Sequence, residues 1–283
     1  MWILTDPNMP SALRWTEHVS PSPLNEDPGM RVVSLVPSLT LTLFDLGLDA
    51  TEIVGRTPWC IHPEDAVGDV PVVGGTKTPT LSKIQAAQPN LVVMDKDENP
   101  KKVHDWCLAQ GYDVFVCHVR HPDDVPDMLR DLGKAVNREG KGEALAEELE
   151  TALRILKQSR SGVVLPFIWN DPLMVANGQT YAGGMLSTLG WTVPVIKPDG
   201  TGYPTVTEHD LLEHRVEGLL MSSEPYDFSL KEGEALAGRV VEAGGRRPWV
   251  RCIDGEALTW MGSHTLHGLR KLAEINAPEP GGA

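Results

Sequence analysis

Five of the nine histidines, His62, His118, His121, His264 and His267, are the first residues to weigh for chemistry. His264 and His267 are three apart in a run that reads as helix, a spacing that lets two imidazoles share a metal. His118 and His121 close a predicted strand. No Asp or Glu completes either pair, so these residues read as capping or surface histidines and no protein metal site is assigned. Ser38 precedes a predicted helix and reads as its N-cap rather than a nucleophile. There is no G-x-S-x-G elbow and no P-loop, and Gly183-Gly184 and Gly244-Gly245 form no phosphate fingerprint. Asp97-Glu98 and Asp123-Asp124 read as a solvated loop and a helix start rather than an acid–base pair. The four cysteines, Cys60, Cys107, Cys117 and Cys252, lack C-x-x-C spacing. Cys107, Cys117 and Cys252 lie in or beside apolar runs, which predicts buried free thiols. The chain does not read as an enzyme.

The elements that must position any site alternate between strand and helix. Arg31-Val-Val-Ser-Leu reads as a strand, and Leu39, Leu43, Phe44 and Leu46 recur at helical spacing up to Gly47. Ile53-Val-Gly, Val72-Val-Gly-Gly, Leu91 to Asp95 and Asp113 to Val119 read as strands, with helices at Leu81–Ala87, Pro100–Gln110 and Asp123–Val136. Leu91-Val-Val-Met is apolar throughout, as expected of a strand covered on both faces. From Gly140 to Ser159, Ala144, Leu145, Leu149, Ala152, Leu153 and Leu156 make one stripe of a long helix, opposite a charged face. Strand runs then resume at Val163–Trp169, Leu173–Ala176, Thr192–Ile196, Gly218–Met221 and Val250–Ile253. Helical runs fall at Tyr181–Leu189, Thr207–His214, Leu230–Glu242 and Ser263–Ile275. The fold class expected is α/β: two lobes with mainly parallel sheets joined by one long helix. The domain reading is an irregular Pro-rich arm over 1–30, an N-terminal lobe over 31–139, an interlobe helix over 140–159 and a C-terminal lobe over 160–283.

Composition bounds the partners. The 283 residues carry 39 Asp and Glu against 25 Lys and Arg, a formal charge of -14. Such a balance repels a phosphate backbone and argues against nucleic acid. No apolar run reaches the ~20 residues that span a bilayer. The first 29 residues hold prolines at 7, 10, 21, 23 and 28, with Trp2 and Trp15 as possible tethers. Their start has neither the basic end nor the apolar core of an export signal, so as written the chain reads as cytoplasmic.

Arg31-Val-Val-Ser-Leu-Val-Pro-Ser-Leu-Thr, Val54-Gly-Arg-Thr-Pro-Trp-Cys-Ile-His-Pro and Val72-Val-Gly-Gly-Thr-Lys-Thr-Pro-Thr-Leu-Ser-Lys-Ile are followed by Gln88-Pro-Asn-Leu-Val-Val. Further on come Gly202-Tyr-Pro-Thr-Val-Thr, Ser222-Ser-Glu-Pro-Tyr and Asp254-Gly-Glu-Ala-Leu-Thr-Trp. In this order, covering roughly Arg31 to Ala273, these segments resemble the helix-linked periplasmic-binding-protein class, in particular its cobalamin-binding branch. The resemblance implies a ligand cleft at the carboxyl ends of both sheets, in keeping with the general rule for open α/β sheets. It also implies a stiff interlobe helix, an extracytoplasmic location if the true start lies upstream, and an ABC transporter permease as partner. Relatives that dock on a permease carry an exposed glutamate on each lobe. The matching positions here are Ser82 and His209, with Glu208 adjacent, and Leu41 replaces a glutamate common in the first helix.

With loops after the strands lining the cleft, the expected ligand-binding residues are Pro37, Ser38, Leu39, Trp59, Thr76 and Lys77 from the first lobe. The second lobe offers Trp169, Asn170, Tyr181, Tyr203, Ser223, Glu224, Tyr226 and Trp260. Gly75, Asp97, Glu98 and Met261 lie in the same loops. Aromatic side chains give a large, rigid surface for a big, partly apolar ligand. The function expected is a solute-binding protein that holds a corrinoid, cobalamin first, with Ser38, Thr76, Asn170 and Ser223 bonding its amides. One alternative is a receptor for a ferric siderophore, haem or metal ion, with Lys77, Arg56 or Arg120 facing an anionic chelate. Another is a cytosolic sensor or scaffold that kept the fold without a transporter.

Overall fold

The computed structural model describes residues 29–156, 162–198, 200 and 202–275. The Pro-rich segment 1–28, with Trp2, Trp15 and the expected arm, and the predicted helix end at 157–159 lie outside these residues.

Sheet-forming sequence appears where apolar β-branched runs are flanked by turn residues. In the first half these are β1 (Val32–Ser34), β2 (Ile53–Gly55), β3 (Leu91–Asp95) and β4 (Asp113–Cys117). They form one sheet in the order β2-β1-β3-β4, parallel throughout. Every residue of β3 is buried, as its unbroken apolar run requires of a central parallel strand. Helices α1 (Pro37–Asp45), α2 (Leu81–Ala87), α3 (Lys101–Ala109) and α4 (Val125–Ala135) follow the strands. Val33, Leu35, Ile84, Val92, Met94, Val103, Cys107 and Val114 make the core between sheet and helices.

The expected cap at Ser38 is corrected. Pro37 occupies the first turn of α1, Val36 is its N-cap, and Ser38 lies inside the helix and buried. Proline is suited to that first turn because its missing N–H has no partner there anyway. Val72-Val-Gly-Gly also fails to form a strand. Gly74, at φ 116°, turns the chain, leaving single bridges from Arg56 to Val72 and from Gly74 to Pro79.

Helix α5 (Glu139–Leu156) carries the chain onward. Its start lies close against α4: a Cβ on Gly142 would come within 2.7 Å of the Leu129 carbonyl oxygen. By contacts, the chain divides inside α5, between Glu148 and Leu149. The first unit runs up to Val119 and adds Asp124–Glu148 and Met261–His264; the second takes Arg120–Asp123, Leu149–Trp260 and the chain from Thr265 on. The stretch around Met261–His264 joins the first unit by bonding, since the Ser263 amide donates to Thr42 Oγ1 on α1 at 3.1 Å.

The second unit has β5 (Val164–Trp169), β6 (Met174–Val175), β7 (Gly218–Ser222) and β8 (Trp249–Ile253) in the order β6-β5-β7-β8. β5, β7 and β8 are parallel and β6 is an antiparallel edge. Its helices are α6 (Tyr181–Thr188), α7 (Glu208–Glu213), α8 (Leu230–Glu242), α9 (Gly255–Thr259) and α10 (Thr265–Leu272). Capping boxes at Thr207/Asp210 and Ser229/Glu232 open α7 and α8. The run Thr192–Ile196 forms only one bridge, Val163 to Thr192, because Pro194 has no N–H to offer a ladder. α9 has no counterpart in the sequence reading; Asp254, which accepts from the Ala257 amide, starts it. His264 and His267 sit in different elements, a short turn over Gly262–His264 and α10, so the expected shared helix is corrected. Cys252 is exposed on β8, against the expectation of burial, while Cys60, Cys107 and Cys117 are buried free thiols. Among the described residues no helix is long and apolar enough to cross a membrane.

Candidate ligand-binding site

Because β1 to β4 are parallel, their carboxyl ends share one edge of the first sheet. β1 runs into Leu35–Pro37, β2 into Arg56–Cys60, β3 into Lys96–Asn99 and β4 into His118. One buried side chain ties three loops of that edge together. Asn99 Nδ2 donates to the carbonyls of Leu35 at 3.2 Å and Thr76 at 3.0 Å, and its Oδ1 accepts from the Asp95 amide at 2.8 Å.

Asp95 ends β3 and is buried. Its Oδ1 accepts from the amides of Asp97 at 2.8 Å and Glu98 at 3.0 Å. Desolvation, with Asp97 and Glu98 adding like charge, pushes its carboxyl up to about 7. The neighbouring Cys117 thiol is driven well above its usual range, first by burial and then by Asp95, and it donates to the Met261 sulfur at 3.4 Å.

The sequence-expected residues of this unit separate by exposure. Trp59 is 66% exposed. Lys77 is exposed but spends its ammonium on the Asp97 carbonyl at 2.6 Å and on Glu98 at 3.8 Å. Pro37 is half-buried. Thr76 is buried and its carbonyl serves Asn99. Leu39 is fully buried in the core and leaves the candidate set: its place on the inner face of α1, one turn before Leu43, points it away from any loop surface. Ser38 is buried too, which leaves its hydroxyl poorly placed for a ligand amide.

In the second unit, β5 delivers Trp169 and Asn170, and the loop after β7 delivers Ser223 to Tyr226. Of these, Trp169, Asn170 and Tyr226 meet as one cluster. Trp169 and Tyr226 stack edge to face with centroids 6.1 Å apart, and Tyr226 packs similarly on Phe228 at 4.7 Å. Tyr226 donates its hydroxyl to Glu232 Oε1 at 2.7 Å, and Asn170 Nδ2 reaches the same oxygen at 3.3 Å. Glu232 Oε2 meanwhile accepts from the amide and hydroxyl of Ser229. The Ser229 hydroxyl and amide, then Tyr226, hold its carboxyl down at about 2. The result is a 41% exposed Trp169 packed on a Tyr226 whose hydroxyl is held by an ionised carboxylate. Such a surface suits a flat, partly apolar ligand.

The remaining expected residues fall elsewhere. Ser223 is exposed and its Oγ accepts from the Gly255 amide at 3.0 Å. Glu224 and Tyr203 are half-buried. Tyr181 is buried, with its hydroxyl 2.9 Å from that of Thr265, and Trp260 is also buried, so both serve packing in this structure. Sequence reasoning missed Asn99 and Glu232. Ser229-x-x-Glu232 is legible as a capping box, but its reach to Tyr226 is not, and Asn99 carries no signal at all. Of the histidines, His121 lies 3.4 Å from Asp123 and His118 3.9 Å from Asp97. No group of three His, Cys, Asp or Glu among the described residues is arranged to hold a metal.

Glu232→Gln is expected to shift the Trp169 emission of the ligand-free protein. One amide cannot accept from Tyr226, Asn170 and Ser229 as the carboxylate does. An unchanged spectrum, read against a Trp169→Phe control, would count against the cluster.

Two α/β sheets with aromatic loops at their carboxyl edges are the frame of a solute receptor, and the sequence places this chain among such proteins. Residues 32–203 match the family described as Periplasmic binding protein, and the chain belongs to that family. Its members are binding proteins for transport, not enzymes. The vitamin B12-binding protein of Yersinia pestis (strain Pestoides F) is 22% identical over 196 residues, 68% of this chain and 69% of that protein. Among solved structures, the apo periplasmic heme-binding protein of Roseiflexus sp. RS-1 superposes with a TM-score of 0.72 at 19% identity, covering 87% of this chain and 97% of that one. The periplasmic vitamin B12 binding protein of Vibrio cholerae gives 0.71 at 16% identity, covering 87% and 96%.

Proposed function

We propose that this chain binds a corrinoid through aromatic loops at the carboxyl ends of its parallel strands. One observation carries the choice over an anionic chelate: the edges present aromatic rings and carboxylates, while the three basic residues expected to face an anion, Arg56, Lys77 and Arg120, are engaged with the protein's own carbonyls. Arg56 bonds four backbone carbonyls, Lys77 bonds the Asp97 carbonyl, and Arg120 reaches the Gln179 carbonyl at 3.4 Å. A corrinoid is large and apolar on its faces, and its rim of amides supplies donors to carboxylates and carbonyls. The relatives named for vitamin B12 support the same reading. Trp59 and the Trp169–Tyr226 pair are the proposed contacts, with Asn170, Ser223 and Glu224 as polar partners. Delivery to a permease is the role the family suggests. Ser82 and His209 stand exposed on α2 and α7, and Glu208 is engaged with Arg239 at 2.6 Å, so a pair of docking glutamates is not part of the proposal.

Calorimetric titration with cyanocobalamin, run beside haemin and a ferric hydroxamate, tests this. Corrinoid binding in the micromolar range or tighter is expected, weakened at least about tenfold in Trp59→Ala and in Trp169→Ala, since buried aromatic contacts dominate such interfaces. Heat with haemin or the hydroxamate and none with corrinoid would overturn the proposal.

A further inference from the structure

The residues between β2 and Val72 form a closed excursion. Its ends meet where the Arg56 amide donates to the Pro71 carbonyl at 2.9 Å and the Val73 amide donates to the Arg56 carbonyl at 2.9 Å. Trp59 stands at its exposed tip. The tip is a tight turn, Thr57-Pro58-Trp59-Cys60, closed by the Cys60 amide donating to the Thr57 carbonyl at 3.2 Å. Proline after the first residue favours that turn by presetting φ. Both feet are buried: Thr57 and Cys60 are almost wholly enclosed while the two residues between them are out in solvent.

Two sets of bonds hold the feet. On one side, Thr40 Oγ1 of α1 donates to Cys60 Sγ at 3.0 Å, and Thr57 Oγ1 lies 3.2 Å from the same sulfur. On the other, the Arg56 guanidinium sits inside the excursion. Its Nη1 donates to the carbonyls of Thr57 at 3.1 Å and Cys60 at 3.2 Å, the two feet of the turn. Its Nε donates to the carbonyls of Val67 at 2.8 Å and Val70 at 3.1 Å, the returning limb. A rigid planar fork suits such a task better than a compact ammonium on a flexible stem.

We propose that Arg56 is the positioning residue of the ligand site: it sets the height and angle of Trp59 and acts on the ligand through that ring. This rests on the reading of Trp59 as a corrinoid contact. It also reassigns Arg56, whose charge would otherwise suggest direct capture of an anionic ligand. An indole fixed in place before binding loses little freedom when the ligand arrives, and that saving appears as affinity.

The test has one readout without ligand and one with it. The Trp59 indole N–H resonance, assigned by its absence in Trp59→Phe, is expected to shift and broaden in Arg56→Gln, with Arg56→Lys recovering little. In cyanocobalamin titrations, Arg56→Gln is expected to weaken binding about tenfold in the natural background and less than about twofold in a Trp59→Ala background, the non-additivity of groups that act as a unit. Circular dichroism confirms that each variant is folded. An unmoved indole resonance overturns the proposal. So does an equal loss in both backgrounds that fades with added salt, which marks a direct charge contact. If the natural protein binds no corrinoid, the ligand reading fails, and the indole resonance still decides whether Arg56 positions Trp59.

Discussion

An Asn99→Ala variant is expected to lose about 3 kcal/mol of stability in urea unfolding, with most of the loss in the first unit. The side chain is buried and makes bonds to three separate loops: Leu35 after β1, Thr76 in the turn before α2, and Asp95 at the end of β3. Alanine leaves two carbonyls and one amide without these bonds in a site closed to water, and each stranded group costs roughly 1–3 kcal/mol. Relaxation of the loops returns part of that. The same change is expected to weaken ligand binding, because the three loops lose their common anchor. Asn99→Asp is a sharper control. It keeps an acceptor for the Asp95 amide, removes both donors and sets a second carboxyl beside Asp95. Its loss should therefore exceed that of alanine at pH 8 and shrink towards pH 4. If both variants unfold at the natural midpoint, Asn99 does not hold the edge.

The second large effect is a pH dependence. Asp95 is raised from 3.8 to about 7 in the folded protein by burial and by Asp97 and Glu98. The unfolded chain releases this proton near the ordinary value, so between about pH 4 and pH 7 the folded state holds more protons than the unfolded one. Stability from this group is therefore undiminished below pH 4, falls as pH rises through the window and is level above 7. The gap corresponds to about 4 kcal/mol at most. Asp95→Asn removes the titration and keeps an oxygen for the amides of Asp97 and Glu98. Measured against the natural protein by urea unfolding, it is expected to gain stability between pH 4 and pH 8 by up to that amount. A constant difference across the range would show that Asp95 ionises normally.

Glu232 behaves in the opposite sense. Held at about 2, it stays ionised throughout that window and contributes no slope there. Its contribution is lost only as pH falls below the ordinary carboxylate range. The two carboxyls differ because one is enclosed beside the like charges of Asp97 and Glu98, and the other sits at the surface with four donors around it.

The alternation of apolar runs and helical stripes, read locally, was enough to place β2, β3, α2 and α8 at their observed bounds and to call for two α/β sheets with a long helix between their sequences. That succeeds because period and turn chemistry are properties of neighbouring residues. It also put Trp59 in a loop after a strand and Trp169 at a strand end, and both are exposed. The same logic could not tell Leu39 from a surface residue, nor see that Val72 and Thr192 would each find a single bridge and no ladder. Burial and pairing depend on what arrives from elsewhere in the chain. The residues that organise the site lie furthest from local reading. Asn99 bonds a carbonyl 64 positions away, Asn170 reaches Glu232 across 62, and Arg56 closes on Val70 across 14. A side-chain amide, carboxylate or guanidinium carries no mark in sequence of the acceptor it will meet. Only the tertiary structure turned Arg56 from a free positive charge into the clamp beneath an exposed tryptophan.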